Sequence, residues 1–132
     1  MTIEVLKCSD ALGAQILNAD LSQEIDAATQ DALRKAWADN LILLFRGQRL
    51  SDADLVRFTS VFGRCDASPP NEAALKTPGF VPQLPEVAVI SNVVENGEAI
   101  GSLANRELVW HTDMSYNETP ADGCALYALE VP

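Results

Sequence analysis

A chain of 132 residues, 48% of them hydrophobic, has the length and apolar content of one globular domain and is too apolar for a disordered chain. Its formal net charge of −10 disfavours nucleic acid and anionic membranes as partners, because both need a basic face. The longest apolar run, Leu41–Phe45, is far too short to cross a bilayer, the opening residues lack the basic and apolar regions of a signal peptide, and Cys8, Cys65 and Cys124 lack paired spacing, so reduced thiols in a cytoplasmic protein are expected.

Short apolar stretches at Ile3–Leu6 and Gln15–Leu17, punctuated by Gly13 and Asn18, predict two strands. A helix is predicted over about Asp26–Asp39, because Leu33, Ala36, Trp37 and Leu41 recur at spacings that share one face. Asn40–Arg46 is short, apolar and flanked by breakers, which predicts a buried strand. Ser51 followed by Asp54 resembles a capping box. Leu55, Phe58 and Phe62 then form an apolar stripe, and Gly63 sits where a left-handed cap would end a helix over about Asp52–Phe62. Residues 64–86 carry Pro69, Pro70, Pro78, Pro82 and Pro85 without periodicity; they predict a long irregular loop, either a lid or binding segment or a mobile surface loop. Glu86–Val94 reads as a strand, Asn96-Gly97 as a hairpin turn, Glu107–Tyr116 as extended and Gly123–Val131 as a last strand. This order predicts an α+β protein whose second half is a β-sandwich or barrel.

The chemistry concentrates in Val109–Tyr116, "VWHTDMSY", which holds the sole histidine, His111, and Asp113 two positions on. In a strand, residues i and i+2 share a face, so the imidazole and carboxylate would lie side by side. Such a pair supplies two thirds of the facial set, two histidines and one carboxylate, that suits non-haem Fe(II). The three residues alone more readily describe a surface or hydrogen-bonded strand histidine. A nucleophilic triad using Ser115 or Cys124 fits poorly, because its aspartate must orient the imidazole from behind. Glu118 and Asp122 read as solvated loop charges. From Glu107 to Pro132 there is no Lys or Arg, so an anionic ligand near His111 needs its positive partner from a metal or from elsewhere.

The wider context is more specific. "VWHTDMSYNETPADGCALYALEVP" (Val109–Pro132) resembles the metal-binding segment of the TauD/TfdA family of Fe(II)- and 2-oxoglutarate-dependent dioxygenases. The resemblance rests on Trp110, His111, Thr112, Asp113, Ser115, Tyr116 and Pro120, and extends upstream through "LGAQILNADLS" (Leu12–Ser22) and "NLILLFRGQRLSDADLVRFTSVFG" (Asn40–Gly63). It implies a single domain over residues 1–132, the N-terminal portion of a double-stranded β-helix (jelly-roll) with flanking helices. It implies His111 and Asp113 as ligands of Fe(II), with 2-oxoglutarate and O2 as cosubstrates. The implied activity is hydroxylation of a small organic acid, taurine- or phenoxyalkanoate-like, with release of succinate and CO2, and the implied assembly is a homo-oligomer. Met114 and Tyr116 fall where the family lines its substrate pocket, Asn92 and Asn105 are further polar candidates for that pocket, and Trp110 is expected to pack.

The family's second histidine ligand and its 2-oxoglutarate-binding arginine have no counterpart here, since no second histidine is present and Arg106 is the last basic residue. These residues are therefore expected to be part of a longer dioxygenase and inactive by themselves. The competing expectation is a truncated, non-catalytic homologue or a β-rich binding or scaffold domain. A coding sequence that continues past Pro132 into a Gly-Asp-Thr-like stretch, a histidine and an arginine distinguishes the first from the second.

Overall fold

The structure is a computed structural model that describes residues 2–67, 84–91, 93–99, 110–115 and 117–129. It divides into two compact units, Met1–Arg64 and Cys65–Pro132.

The first unit is built on a three-stranded mixed sheet. β1 (Glu4–Lys7) pairs antiparallel with β2 (Ala14–Leu17), and β2 pairs parallel with β3 (Leu43–Leu44), in the order β1-β2-β3. Both N-terminal strands fall where the sequence predicts them. Gly13 takes a φ of 90°, which a side chain would resist, and its carbonyl accepts the Cys8 N–H at 2.8 Å to close the β1–β2 connection. β2 shows the alternation of a half-buried strand: Ala14 and Ile16 are buried, while Gln15 and Leu17 are half-buried.

The parallel pairing of β2 and β3 requires a crossover, and helix α1 (Ala27–Asn40) lies within it. Its start is set by Asp26, whose carboxylate accepts the Thr29 N–H at 2.9 Å. Leu33 and Ala36 face the core as the spacing predicts, but Leu41 does not complete the stripe. Leu41 lies past the helix at φ 66° and is exposed, and Asn40 takes the inward place, its side-chain amide donating to the Ala36 carbonyl at 2.8 Å. The expectation of a buried strand over Asn40–Arg46 is corrected in the same way. Only Leu43–Leu44 joins the ladder; Leu43 and Phe45 pack against the core, whereas Leu41, Ile42 and Leu44 are exposed. β3 is an edge strand with one covered face, so its alternate side chains reach solvent.

Helix α2 (Asp52–Thr59) carries the predicted capping box: the Asp54 N–H donates to the Ser51 hydroxyl at 3.2 Å and the Ser51 N–H to the Asp54 carboxylate at 3.0 Å. The helix ends earlier than predicted. Val61 and Phe62 donate to the carbonyls of Phe58 and Thr59, three residues back, so the last turn tightens out of α geometry. Gly63 does not adopt the left-handed cap. The Ser60 hydroxyl and N–H already satisfy the Val56 carbonyl, at 2.7 and 2.9 Å, which such a cap would otherwise serve.

The core joins Ile16, Leu21, Ile25, Leu33, Ala36 and Phe58. Phe58 meets Phe45 and Phe62 edge-on, with centroids 5.0 and 5.5 Å away, and Trp37 meets Phe62 at 5.3 Å. The Gln48 amide ties the 19–21 loop to this frame, accepting from the Leu21 N–H and donating to the Ala19 carbonyl, both at 3.0 Å.

Hydrogen bonds from the Ser51 hydroxyl and N–H, helped by Arg57, hold the Asp54 carboxyl at about 2, below the usual carboxylate range. A depressed folded-state value means that this contribution is complete above the unfolded value near ~4 and is lost as pH falls towards the folded value. Ser51→Ala removes the N-cap of α2 and is expected to destabilise the protein by about 1 kcal/mol at neutral pH. In thermal melts the gap from the parent should narrow as pH falls below about 4; a gap independent of pH would contradict the assignment.

In the second unit, β4 (Val94–Glu95) and β5 (Glu98–Ala99) form an antiparallel hairpin. The predicted Asn96-Gly97 turn closes it, with φ 51° and 84° at the two residues, the signs of a type I′ turn. The longer predicted strands are not seen among the described residues. Residues 86–91 and 93 join no ladder before Val94, and residues 123–129 join none. Ile90, Val93, Leu126 and Leu129 are exposed. A strand exists only where a neighbouring backbone accepts and donates its hydrogen bonds, and β-branched composition does not supply that neighbour. Most of the proline-rich segment lies outside the described residues; its described ends, 64–67 and 84–86, carry neither helix nor strand. No disulfide joins Cys8, Cys65 or Cys124. Among the described residues no helix is long and apolar enough to cross a membrane.

Candidate metal centre

His111 and Asp113 come together, though not on a strand. Residues 110–112 have no regular structure and 113–115 form a turn. Met114 has φ 56°, in the left-handed region where extended backbone cannot continue, and its carbonyl accepts the Asn117 N–H at 2.9 Å. The expectation of a strand over Glu107–Tyr116 is thus corrected for residues 110–115; the others of that stretch lie outside the described residues. The turn nonetheless brings His111 Nε2 within 3.1 Å of Asp113 Oδ1. Both side chains are more than half exposed, at 58% and 63%, so the pair is open to solvent.

That separation bears on metal binding. Two donors on adjacent positions of an octahedron, each bonded at about 2.1 Å, stand roughly 3.0 Å apart. The observed 3.1 Å therefore fits an imidazole nitrogen and a carboxylate oxygen sharing one divalent ion. Without an ion, a proton on Nε2 can lie between the same two atoms. Among the described residues no set of three or more His, Cys, Asp or Glu is placed to hold a metal ion, so the pair stands as two donors.

Cys124, a triad candidate, lies near this pair: burial pushes its thiol pKa up, and the nearby Asp113 carboxylate pushes it further. A nucleophilic cysteine needs the opposite shift, so this arrangement does not support the Cys124 triad.

Met114 is half-buried within the turn. Trp110, expected to pack, is fully exposed. Tyr116, Asn92 and Asn105 lie outside the described residues.

A family model described as taurine catabolism dioxygenase TauD, TfdA family, matches residues 4–132. The chain is 35% identical over 125 residues to pentalenolactone F synthase of Streptomyces avermitilis, covering 92% of this chain and 39% of that protein. It is 26% identical over 133 residues to the alpha-ketoglutarate-dependent sulfate ester dioxygenase of Pseudomonas putida, covering 100% of this chain and 39% of that protein. The crystal structure of a taurine dioxygenase from Burkholderia xenovorans shares the fold, with a TM-score of 0.60 and 24% identity over 89% of this chain and 37% of that one. The chain therefore spans well under half the length of these relatives.

Proposed function

The chain belongs to the TauD/TfdA family, and on that premise we propose that it forms the iron-binding N-terminal portion of a 2-oxoglutarate-dependent dioxygenase with a jelly-roll core, in which His111 and Asp113 are two of the Fe(II) ligands. The observation that carries this reading is the 3.1 Å between Nε2 and Oδ1 at the position the family pattern assigns to metal. Bound Fe(II), with 2-oxoglutarate and O2, supplies the oxidising chemistry that hydroxylates substrate and releases succinate and CO2. His111 binds through Nε2, which requires that nitrogen to give up any proton shared with Oδ1. Asp113 contributes its charge and Oδ1, and the turn at Asp113–Ser115 keeps the carboxylate beside the imidazole. Met114, Tyr116, Asn92 and Asn105 are proposed to border the substrate.

The substrate class we propose is a small organic acid. Support comes from relatives whose names specify sulfate esters and 2,4-dichlorophenoxyacetate. The protein expressed from its whole reading frame, given Fe(II), 2-oxoglutarate and in turn a sulfonate, a sulfate ester and a phenoxyalkanoate, is expected to form succinate in a substrate-dependent manner. No consumption of 2-oxoglutarate with any of them would contradict the proposal.

Two ligands without a third hold a metal loosely and select poorly among ions. Residues 1–132 by themselves are therefore expected to release no succinate from 2-oxoglutarate in the presence of Fe(II); steady release would overturn this. The competing reading, a non-catalytic homologue, predicts no metal uptake through His111.

A further inference from the structure

The Asn96-Gly97 turn closes the β4–β5 hairpin, and its chemistry goes beyond reversing the chain. Asn96 is the only asparagine in the sequence that a glycine follows. Both turn residues are exposed, and beyond its chain neighbours no atom lies within 4 Å of where a Cβ on Gly97 would stand. Among the described residues no hydrogen bond or ion pair holds the Asn96 side chain. We propose that Asn96 is a spontaneous modification site, at which the Gly97 backbone nitrogen displaces the side-chain amide and the residue becomes aspartate or isoaspartate.

The reaction balances with water as its only co-reactant. The Gly97 nitrogen gives up its proton and attacks Asn96 Cγ; a C–N bond forms, and the side-chain nitrogen leaves as ammonia. The cyclic imide that results takes up one water. Opening at one carbonyl gives aspartate, and opening at the other gives isoaspartate, in which the main chain runs through the former side chain. A side chain on residue 97 would crowd the attack, and glycine has none. Conformations that bring the nitrogen onto Cγ are reached by local opening of the turn. With two residues in each strand and two strands in the sheet, that opening costs little. Asn40 is the internal contrast: Leu41 follows it, it is buried, and its amide donates to the Ala36 carbonyl at 2.8 Å. The isoaspartyl product adds a methylene to the main chain inside a two-residue turn, and the register of a hairpin depends on that length.

The test incubates the full chain at mildly acidic and mildly basic pH over days and follows it by peptide mapping with mass spectrometry. The peptide holding Asn96 is expected to gain a single mass unit, faster at the basic pH because the attacking nitrogen must lose its proton. The same peptide is expected to become a substrate for an isoaspartyl-specific methyltransferase. The peptide holding Asn40 is expected to keep its mass over the same period. Gly97→Ala is expected to slow the gain at Asn96 several-fold. Slowing there reports the attack itself, because a side chain at φ 84° favours opening of the turn, which would speed the reaction. Conversion in denaturant but not in the native protein overturns the proposal, since the folded turn would then protect Asn96. Equal rates at Asn96 and Asn40, equal rates in the parent and Gly97→Ala, or a converted peptide that the methyltransferase does not label also overturn it.

Discussion

Replacing His111 with alanine is expected to lower 2-oxoglutarate turnover by the protein expressed from its whole reading frame to below about one hundredth of the parent rate. Outer partners of metal ligands cost about 10–100-fold when removed, and a direct ligand costs more. Asp113→Ala is expected to do the same and to leave His111 without its carboxylate neighbour. Succinate formation measured under saturating Fe(II) and 2-oxoglutarate checks both variants. Because both side chains are largely exposed, the substitutions open no core cavity, and the far-ultraviolet circular dichroism should be that of the parent. Turnover within a few-fold of the parent in either variant would remove that residue from the ligand set.

Phe58→Ala is expected to cause the largest loss of stability from a single substitution in the first unit. The ring is buried on α2 and packs edge-on against Phe45 and Phe62, so truncation leaves two aromatic rings facing a void. Buried Phe→Ala changes cost about 3–5 kcal/mol, a large part of the roughly 5–15 kcal/mol that holds a typical domain together. At about 4 °C or more per kcal/mol for a small domain, the melting temperature should fall by at least ~12 °C. Ellipticity at 222 nm reports it directly, since α1 and α2 both lie in this unit. Leu12→Ala, an exposed leucine, serves as the reference and is expected to change stability by less than about 0.5 kcal/mol. Equal melting shifts in the two variants would show that the aromatic cluster does not organise the unit.

The features legible in the sequence are those that residues within one turn of each other determine. Ser51 and Asp54 announce their reciprocal cap, Asn96-Gly97 its hairpin, and the 3.6-residue spacing of Leu33 and Ala36 the buried face of α1. What failed depended on distant chain. Leu41, Ile42 and Leu44 look as apolar as Leu43 and Phe45, but only the latter two meet the core, because β3 is an edge strand paired to β2. The candidate site shows the same division. The adjacency of His111 and Asp113 was readable from their spacing, yet the reason was wrong: a turn with Met114 at positive φ brings them together, in place of a strand.

Mn(II) titration followed by electron paramagnetic resonance tests the central claim most directly, because the sharp signal of hydrated Mn(II) disappears as the ion is bound. The parent protein, expressed from its whole reading frame, should reduce that signal, and His111→Ala and Asp113→Ala should each restore it to the level of buffer alone. Equal Mn(II) uptake by the parent and both variants, or none by the parent, would contradict the assignment of His111 and Asp113 as metal ligands.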